Sequence, residues 1–231
     1  MYRHRLVHVS GNAEKVLEMS AILKENGLDL ATRKAVDGLD MEGPEETGTT
    51  ARENASIKLE FYASLARTRG LAGSEVLILF ADDTELAIKG LDDEPGIRIR
   101  RWKDGVTPMT DEEIITYALE RMRLKGLKGE GRSAIFRTTI AAKVIYPSGS
   151  VSDTTFETGM LRGRIATEMP TRRTEGKPFN WLFFVPPWNN MFLGELPNLP
   201  PDLRRARRTH RERATERLLP WIREQVQLQT A

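Results

Sequence analysis

The chain has no cysteine. That excludes a disulfide scaffold, a zinc site built on thiolates and a cysteine nucleophile. It has no apolar run approaching the about 20 residues that span a bilayer. Its opening segment, MYRHRLVHVS, holds no apolar stretch of signal-peptide length. Charge of one sign is not in excess either: 35 Lys and Arg stand against 33 Asp and Glu, a formal net charge of +2 with histidine neutral. A globally basic nucleic-acid binder is thereby excluded, while a local basic patch is not. Internal repeats and low-complexity tracts are also missing. What is present is 231 residues, 39% hydrophobic and 29% charged, enough for a real core and too apolar for a disordered chain. On a prior of roughly 150 residues per domain, one sizeable α/β domain or two small ones are expected. A soluble cytoplasmic protein is the expectation.

Leu6 to Val9 reads as a short buried strand, and Ser10-Gly11-Asn12 as a turn in which Asn12 or Ser10 can cap a helix. From Ala13 to Asn26, Val16, Leu17, Met19, Ile22 and Leu23 recur at helical spacing, with Gly27 as the stop. A second strand is predicted over Leu28 to Val36, so the chain opens strand–loop–helix–strand, as an α/β sheet does. Gly38 to Thr50 is acidic and loop-like, and a helix is predicted over Glu53 to Arg69. Val76 to Ala81 is a continuous apolar run of the kind buried on both faces of a sheet, and it is expected to end in Asp82 and Asp83. Pro95-Gly96 closes a turn that begins at Asp92. Thr110 to Glu113 matches a capping box ahead of the apolar positions Ile114, Ile115, Ala118, Leu119 and Met122. Two long strands, Ala134 to Tyr146 and Val151 to Ile165, flank a Pro147-Ser148-Gly149 hairpin turn. Ala166 to Lys177 is a charged loop. Phe179 to Trp188 is aromatic and broken by prolines, and Arg208 to Gln225 reads as a final helix that Pro220 should kink or end.

Four features carry chemistry. Ser10 to Lys15 lies between a strand and a helix, where free backbone N–H groups and the positive dipole end suit phosphate; from this motif alone, an ordinary capped turn with a surface lysine is the more common outcome. It is not a P-loop, because G-x-x-x-x-G-K-[ST] is absent. Ala81-Asp82-Asp83-Thr84 stands at the carboxyl end of the apolar run, where α/β sheets bind ligands. Adjacent carboxylates there can hold Mg²⁺ and orient water, although a strand points the two to opposite faces; turn-forming aspartates are the alternative. The loop Pro44-Glu45-Glu46-Thr47-Gly48, with Glu53-Asn54 and Lys58 after it, offers a further carboxylate or is simply solvated. Arg204, Arg205, Arg207 and Arg208, then Thr209-His210-Arg211, form a phosphate or base clamp, a nucleic-acid patch or a solvated helix face.

Taken in order, these pieces resemble the inosine triphosphate pyrophosphatase family, enzymes that convert non-standard purine nucleoside triphosphates (ITP, dITP, XTP) to monophosphate and pyrophosphate. Its [ST]-x-N-x-x-K is matched by Ser10, Asn12 and Lys15. Its E-E-T-G-x-T and E-N-A-x-x-K are matched by Glu45 to Thr50 and by Glu53-Asn54-Ala55 with Lys58. Its A-D-D-[ST]-x-L is matched by Ala81 to Leu86, its P-G turn and basic-aromatic pair by Pro95-Gly96 and Arg101-Trp102, and its [ST]-H-R-x-x-A by Thr209-His210-Arg211 and Ala214. The likeness runs from Leu6 to about Leu219.

The resemblance implies a single α/β domain over residues 1–231: an elongated, two-lobed body around a long mixed β-sheet with flanking helices, and an active site in the central cleft. It implies that Ser10, Gly11, Asn12, Ala13, Glu14 and Lys15 cradle the triphosphate, with Lys58 also near phosphate. Glu46 and Asp83 would hold Mg²⁺, with Asp83 the general base for water. Thr84, Arg101 and Arg205 would touch substrate, Arg205 standing where the family usually has lysine, and His210 and Arg211 would contact the base. One departure concerns the F-G-[YW]-D-P nucleobase motif, which here reads Phe179-Asn180-Trp181-Leu182-Phe183. The aromatic pair Phe179 and Trp181 is kept as a stacking platform, but Leu182 replaces the base-reading Asp and Asn180 the Gly. Loss of a polar reader weakens discrimination. The alternatives are therefore the same chemistry on a different or modified nucleotide, or a non-catalytic nucleotide- or RNA-binding relative. A homodimer is implied; a membrane or nucleic-acid partner is not expected.

Overall fold

The computed structural model describes residues 3–227. Its elements are β1 (Arg3–His8), α1 (Ala13–Glu25), β2 (Leu30–Thr32), α2 (Ala51–Thr68), β3 (Glu75–Ile88), β4 (Pro95–Gly96), α3 (Asp111–Leu124), β5 (Ser133–Ile145), β6 (Thr155–Ile165), β7 (Phe183–Val185), β8 (Met191–Phe192), α4 (Pro201–Arg205) and α5 (His210–Gln227). The strands make one sheet in the order β2-β1-β3-β5-β6-β7-β8, with β4 paired to β3. β1 runs parallel to both β2 and β3, with Leu6 opposite Leu30 and Ile78. β4 is antiparallel to β3, and β7 is antiparallel to β6 and β8. This is the mixed α/β sheet with flanking helices that the sequence implies. No helix among the described residues is long and apolar enough to cross a membrane.

The residues group into two compact units, neither a continuous piece of chain. The first takes residues up to Thr84, 138–159 and His210 onward; the second takes Glu85–Arg137 and Met160–Thr209. In the first, the two-residue period of β3 sorts its side chains. Leu77, Leu79 and Ala81, with Val7 and Val9 of β1, pack on Ala55, Leu59, Tyr62 and Ala63 of α2. Val76, Ile78 and Phe80, with Leu6, pack on Met19, Ile22 and Leu23 of α1 and on Ala214, Leu218 and Ile222 of α5. Each large apolar side chain buried this way contributes about 1.5–3 kcal/mol. Asn12 caps α1, its Oδ1 accepting from the Glu14 and Lys15 amides, and Thr50 with Glu53 forms a capping box on α2. In the second unit, Ile114, Ile115, Ala118 and Met122 of α3, itself opened by the Thr110–Glu113 box, pack with Trp102, Phe136, Phe179, Leu182 and Phe183.

Four sequence expectations are corrected. β2 is only Leu30–Thr32, because the chain leaves the sheet in a 3₁₀ turn, Arg33–Ala35, and inserts Val36 and Leu39 into the core under α2. β3 does not end at Asp82 but runs on to Ile88; its polar residues find partners (Thr84 with Thr138, Glu85 with Arg137), and Leu86 and Ala87 then pair with Gly96 and Pro95. β6 begins at Thr155 rather than Val151, which makes only an isolated bridge to Ile145. Pro220 does not end α5, because Leu218, Leu219 and Ile222 on either side of it are anchored in the core.

The seat of α5 is fixed by Gly159 on β6. A Cβ there would lie 2.0 Å from the His210 carbonyl oxygen and 2.4 Å from the Ala214 amide nitrogen. Both obstacles are backbone, so Gly159→Ala must push the start of α5 away. The expected cost is about 1–3 kcal/mol, the usual range for overpacking, read as a lower urea midpoint. An unchanged midpoint would show that α5 can shift freely.

Candidate active site

β3 carries two carboxylates in succession, and the pleat sends them to opposite faces. Asp82 shares the face of Ile78 and Phe80 and is 0% exposed. Its Oδ2 lies 3.1 Å from both Lys15 Nζ and Arg211 Nε. Its Oδ1 lies 3.0 Å from His8 Nε2, an approach too poorly aligned to count as a hydrogen bond. Burial alone would raise the carboxyl pKa, but Lys15, Arg211 and His8 outweigh it and hold Asp82 well below 3.8. Burial lowers the pKa of His8 more than Asp82 raises it, so the ring is neutral at pH 7.

Each guanidinium nitrogen of Arg211 is engaged. Nε holds Asp82, Nη1 sits 3.1 Å from Glu18 Oε2, and Nη2 donates to Thr84 Oγ1 at 3.0 Å. Thr84 Oγ1 is 2.7 Å from Thr138 Oγ1, which is 2.6 Å from His210 Nδ1. Burial, and after it Arg211, pushes His210 down to about 3, so this ring too is neutral.

Asp83 faces α2. Asn54 Nδ2 donates to its Oδ2 at 3.1 Å. Burial raises the Asp83 pKa above the ordinary carboxylate value, opposed by Lys15 and Lys58. Lys58, also on α2, pairs with Glu46 Oε1 at 2.9 Å and donates to the Asp82 carbonyl oxygen at 3.2 Å. Lys15 reaches the same carbonyl at 3.4 Å. Two ammonium groups, from helices on opposite faces of the sheet, therefore converge on one backbone oxygen beside Asp83. At the start of α1, Ser10 Oγ accepts from the Asn12 amide at 3.1 Å, while Gly11, Asn12 and Ala13 are exposed and Glu14 is half-buried. The positive end of the α1 dipole adds to the lysines there.

Glu46 and Asp83 supply hard oxygen donors. No group of three or more His, Cys, Asp or Glu able to hold a metal ion occurs among the described residues. That set does not suit zinc. It fits Mg²⁺, which takes one or two carboxylates and completes its shell with water and substrate phosphate.

A sequence model of the Ham1 family matches residues 6–221. The chain belongs to the Ham1 family. It is 33% identical to a dITP/XTP pyrophosphatase of Symbiobacterium thermophilum, over 80% of this chain and 81% of the relative. It is 30% identical to a dITP/XTP pyrophosphatase of Nitratidesulfovibrio vulgaris, over 95% and 96% of the two chains. The solved structure of a HAM1 protein from Coxiella burnetii is similar to it with a TM-score of 0.69 and 28% identity, covering 97% of this chain and 100% of that one.

Of the Ham1 positions expected to contact substrate, His210 and Arg211 are buried and bonded within the first unit, and Thr84 accepts from Arg211. Phe179 is 2% exposed and Leu182 0%, both packed in the core of the second unit. Of the expected stacking pair, Trp181 is half-buried rather than buried. Its Nε1 donates to Thr174 Oγ1 at 2.9 Å, and the Arg172 guanidinium lies 5.4 Å from its ring centroid. Asn180 is half-buried and its carbonyl accepts from the Gly194 amide at 2.7 Å; Arg101 and Arg205 are exposed. His8, Glu18 and Thr138 belong to no motif. Parity is the one sequence signal that reaches them in part, since it puts His8 on the Asp82 face of the paired strands.

Asp82→Asn tests this electrostatic core. Removing the charge leaves Lys15 and Arg211 under-compensated, so the variant should lose roughly 3 kcal/mol in urea titration, the lower end for breaking a buried pair because Glu18 still holds Arg211. The native pKa is depressed, so the stabilisation is fully present above about 3.8 and is lost as pH falls further. The gap between wild type and variant should stay constant above that value and shrink below it. A gap independent of pH would contradict an ionised Asp82.

Proposed function

We propose that the chain is a magnesium-dependent nucleoside triphosphate pyrophosphatase acting on non-standard purine nucleotides such as ITP, dITP and XTP. The observation that carries this is the convergence of Lys15 and Lys58 beside Asp83. It provides cations for a polyphosphate next to a carboxylate that Asn54 holds in place, set to accept a proton from water. The names of the Symbiobacterium and Nitratidesulfovibrio relatives support the same activity.

In the proposed mechanism, Lys15, Lys58 and the Ser10–Lys15 turn bind and neutralise the triphosphate. Asp83 accepts a proton from a water that attacks the α-phosphorus. The bond from that phosphorus to the bridging oxygen breaks, and pyrophosphate leaves with the oxygen. Asn54 orients Asp83 through its 3.1 Å hydrogen bond. Glu46 and Asp83 would hold Mg²⁺, which when bound offsets phosphate charge. Asp82 takes no part in the chemistry and holds Lys15 in place. A homodimer belongs to the same proposal; light scattering should give twice the chain mass, and a monomer would remove it.

A second reading concerns the base alone. Leu182, where the family pattern has Asp, is wholly buried and apolar, so it cannot read a polar edge. The ranking of bases is then set without it. Pyrophosphate release with Mg²⁺ over ITP, dITP, XTP, GTP, ATP and pyrimidine triphosphates decides between the two. Preference for ITP and XTP is expected; preference for another base would keep the chemistry and move the substrate; no release from any would refute the enzyme.

Asp83→Asn should lower pyrophosphate release by about 100-fold or more, the range for a lost general base, with an unchanged thermal midpoint. Full activity in a folded variant would remove Asp83 from the mechanism.

A further inference from the structure

We propose that Arg33 is an additional phosphate-binding residue, holding the terminal phosphate of the triphosphate and then the departing pyrophosphate; its role rests on the hydrolase function proposed above. Arg33 is the first residue after β2, which lies parallel to β1 at the edge of the sheet. The Ser10–Lys15 turn leaves the carboxyl end of β1, so Arg33 starts from the strand end next to it, where ligands of such sheets collect. Its guanidinium lies over Gly11: a Cβ on Gly11 would be 3.3 Å from Arg33 Nη2. Gly11 thus leaves room for the guanidinium to lie close over this turn.

The guanidinium is pinned in place. Nη1 donates to Tyr62 Oη at 2.6 Å, and Tyr62 Oη donates to the Met41 carbonyl at 2.9 Å. Tyr62 is itself fixed in the core under α2. Arg33 Nη2, the nitrogen that faces Gly11, has no hydrogen-bond partner among the described residues, and no ion pair from Arg33 to Asp or Glu occurs among them. A positioned fork with an open donor and no counter-ion matches a phosphate's geometry and charge.

Position in the row of strands says which phosphate. Asp83 is on β3, the phosphate turn comes after β1, and Arg33 after β2, two strand spacings or about 10 Å across the sheet. With the α-phosphorus at Asp83, the chain of phosphates runs past Lys15 towards Arg33.

The test is calorimetric titration of the intact protein, in Mg²⁺, with inorganic tripolyphosphate and with inosine monophosphate. Arg33→Ala should weaken tripolyphosphate binding about ten- to a hundredfold, as expected for lost charge-assisted hydrogen bonds, and leave the monophosphate affinity unchanged. Arg33→Lys should recover part of the loss, and Tyr62→Phe should show a smaller loss because the guanidinium stays but is no longer pinned. KM for the triphosphate should rise more than kcat falls. Unchanged tripolyphosphate affinity in Arg33→Ala would overturn the proposal. So would equal loss of both ligands with a lowered thermal midpoint, which marks a structural role. Arg33-dependent tripolyphosphate binding without turnover of any nucleotide would uphold the phosphate site and overturn the hydrolase function instead.

Discussion

A carboxylate with no access to water sets the order of the first unit. Asp82 lies in the middle of β3, where an unpaired charge would be forced to protonate. It stays ionised because Lys15 of α1 and Arg211 of α5 both reach its Oδ2 and His8 of β1 closes its other side. Four elements are thereby tied to one atom group. Apolar packing would let α1 and α5 slide on the sheet by small amounts at little cost; a buried charge that needs its partners at hydrogen-bond distance does not. Lys15, at the start of α1, has its position fixed by this contact.

The neighbouring residue gains from the same geometry. Because successive strand residues alternate faces, Asp83 is turned towards α2, where Asn54 donates to it and Lys58 stands near it, and of the cations that neutralise Asp82 it still feels Lys15. One carboxylate is kept ionised and structural, the other is left with a raised pKa and a hydrogen bond that orients it. The backbone carbonyl of Asp82 draws the two lysines together from opposite faces. Three consecutive groups on a single strand, the Asp82 side chain, the Asp82 carbonyl and the Asp83 side chain, thus bring two ammonium groups beside a carboxylate without histidine or cysteine ligands; under the proposed function these serve as cations for phosphate and a base for water.

Much of this was legible in the sequence. The apolar run Val76–Ala81 announced a strand buried on both faces, and the caps at Asn12, Thr50 and Thr110 marked three helix starts. Asp82-Asp83-Thr84-Glu85 read as the end of the strand because four polar residues in a row satisfy themselves most easily in water. Inside the fold each has a partner distant in sequence (Arg211, Asn54, Thr138 and Arg137), and local pattern contains no trace of such partners. Pro220 read as a helix breaker because propensity is local, whereas the buried neighbours that carry α5 through it are tertiary. The motif at Phe179–Leu182 carried no sign of the direction of its side chains: Phe179 and Leu182 turn into the core, and Trp181 is half-buried.

In the proposed reaction water attacks the α-phosphorus and the bond on its leaving side breaks. Hydrolysis in water labelled with heavy oxygen, with mass analysis of the products, reads this step. The label should appear in the nucleoside monophosphate and not in the pyrophosphate. Label in pyrophosphate, or release of labelled orthophosphate in its place, would contradict it and move the reaction to another phosphorus.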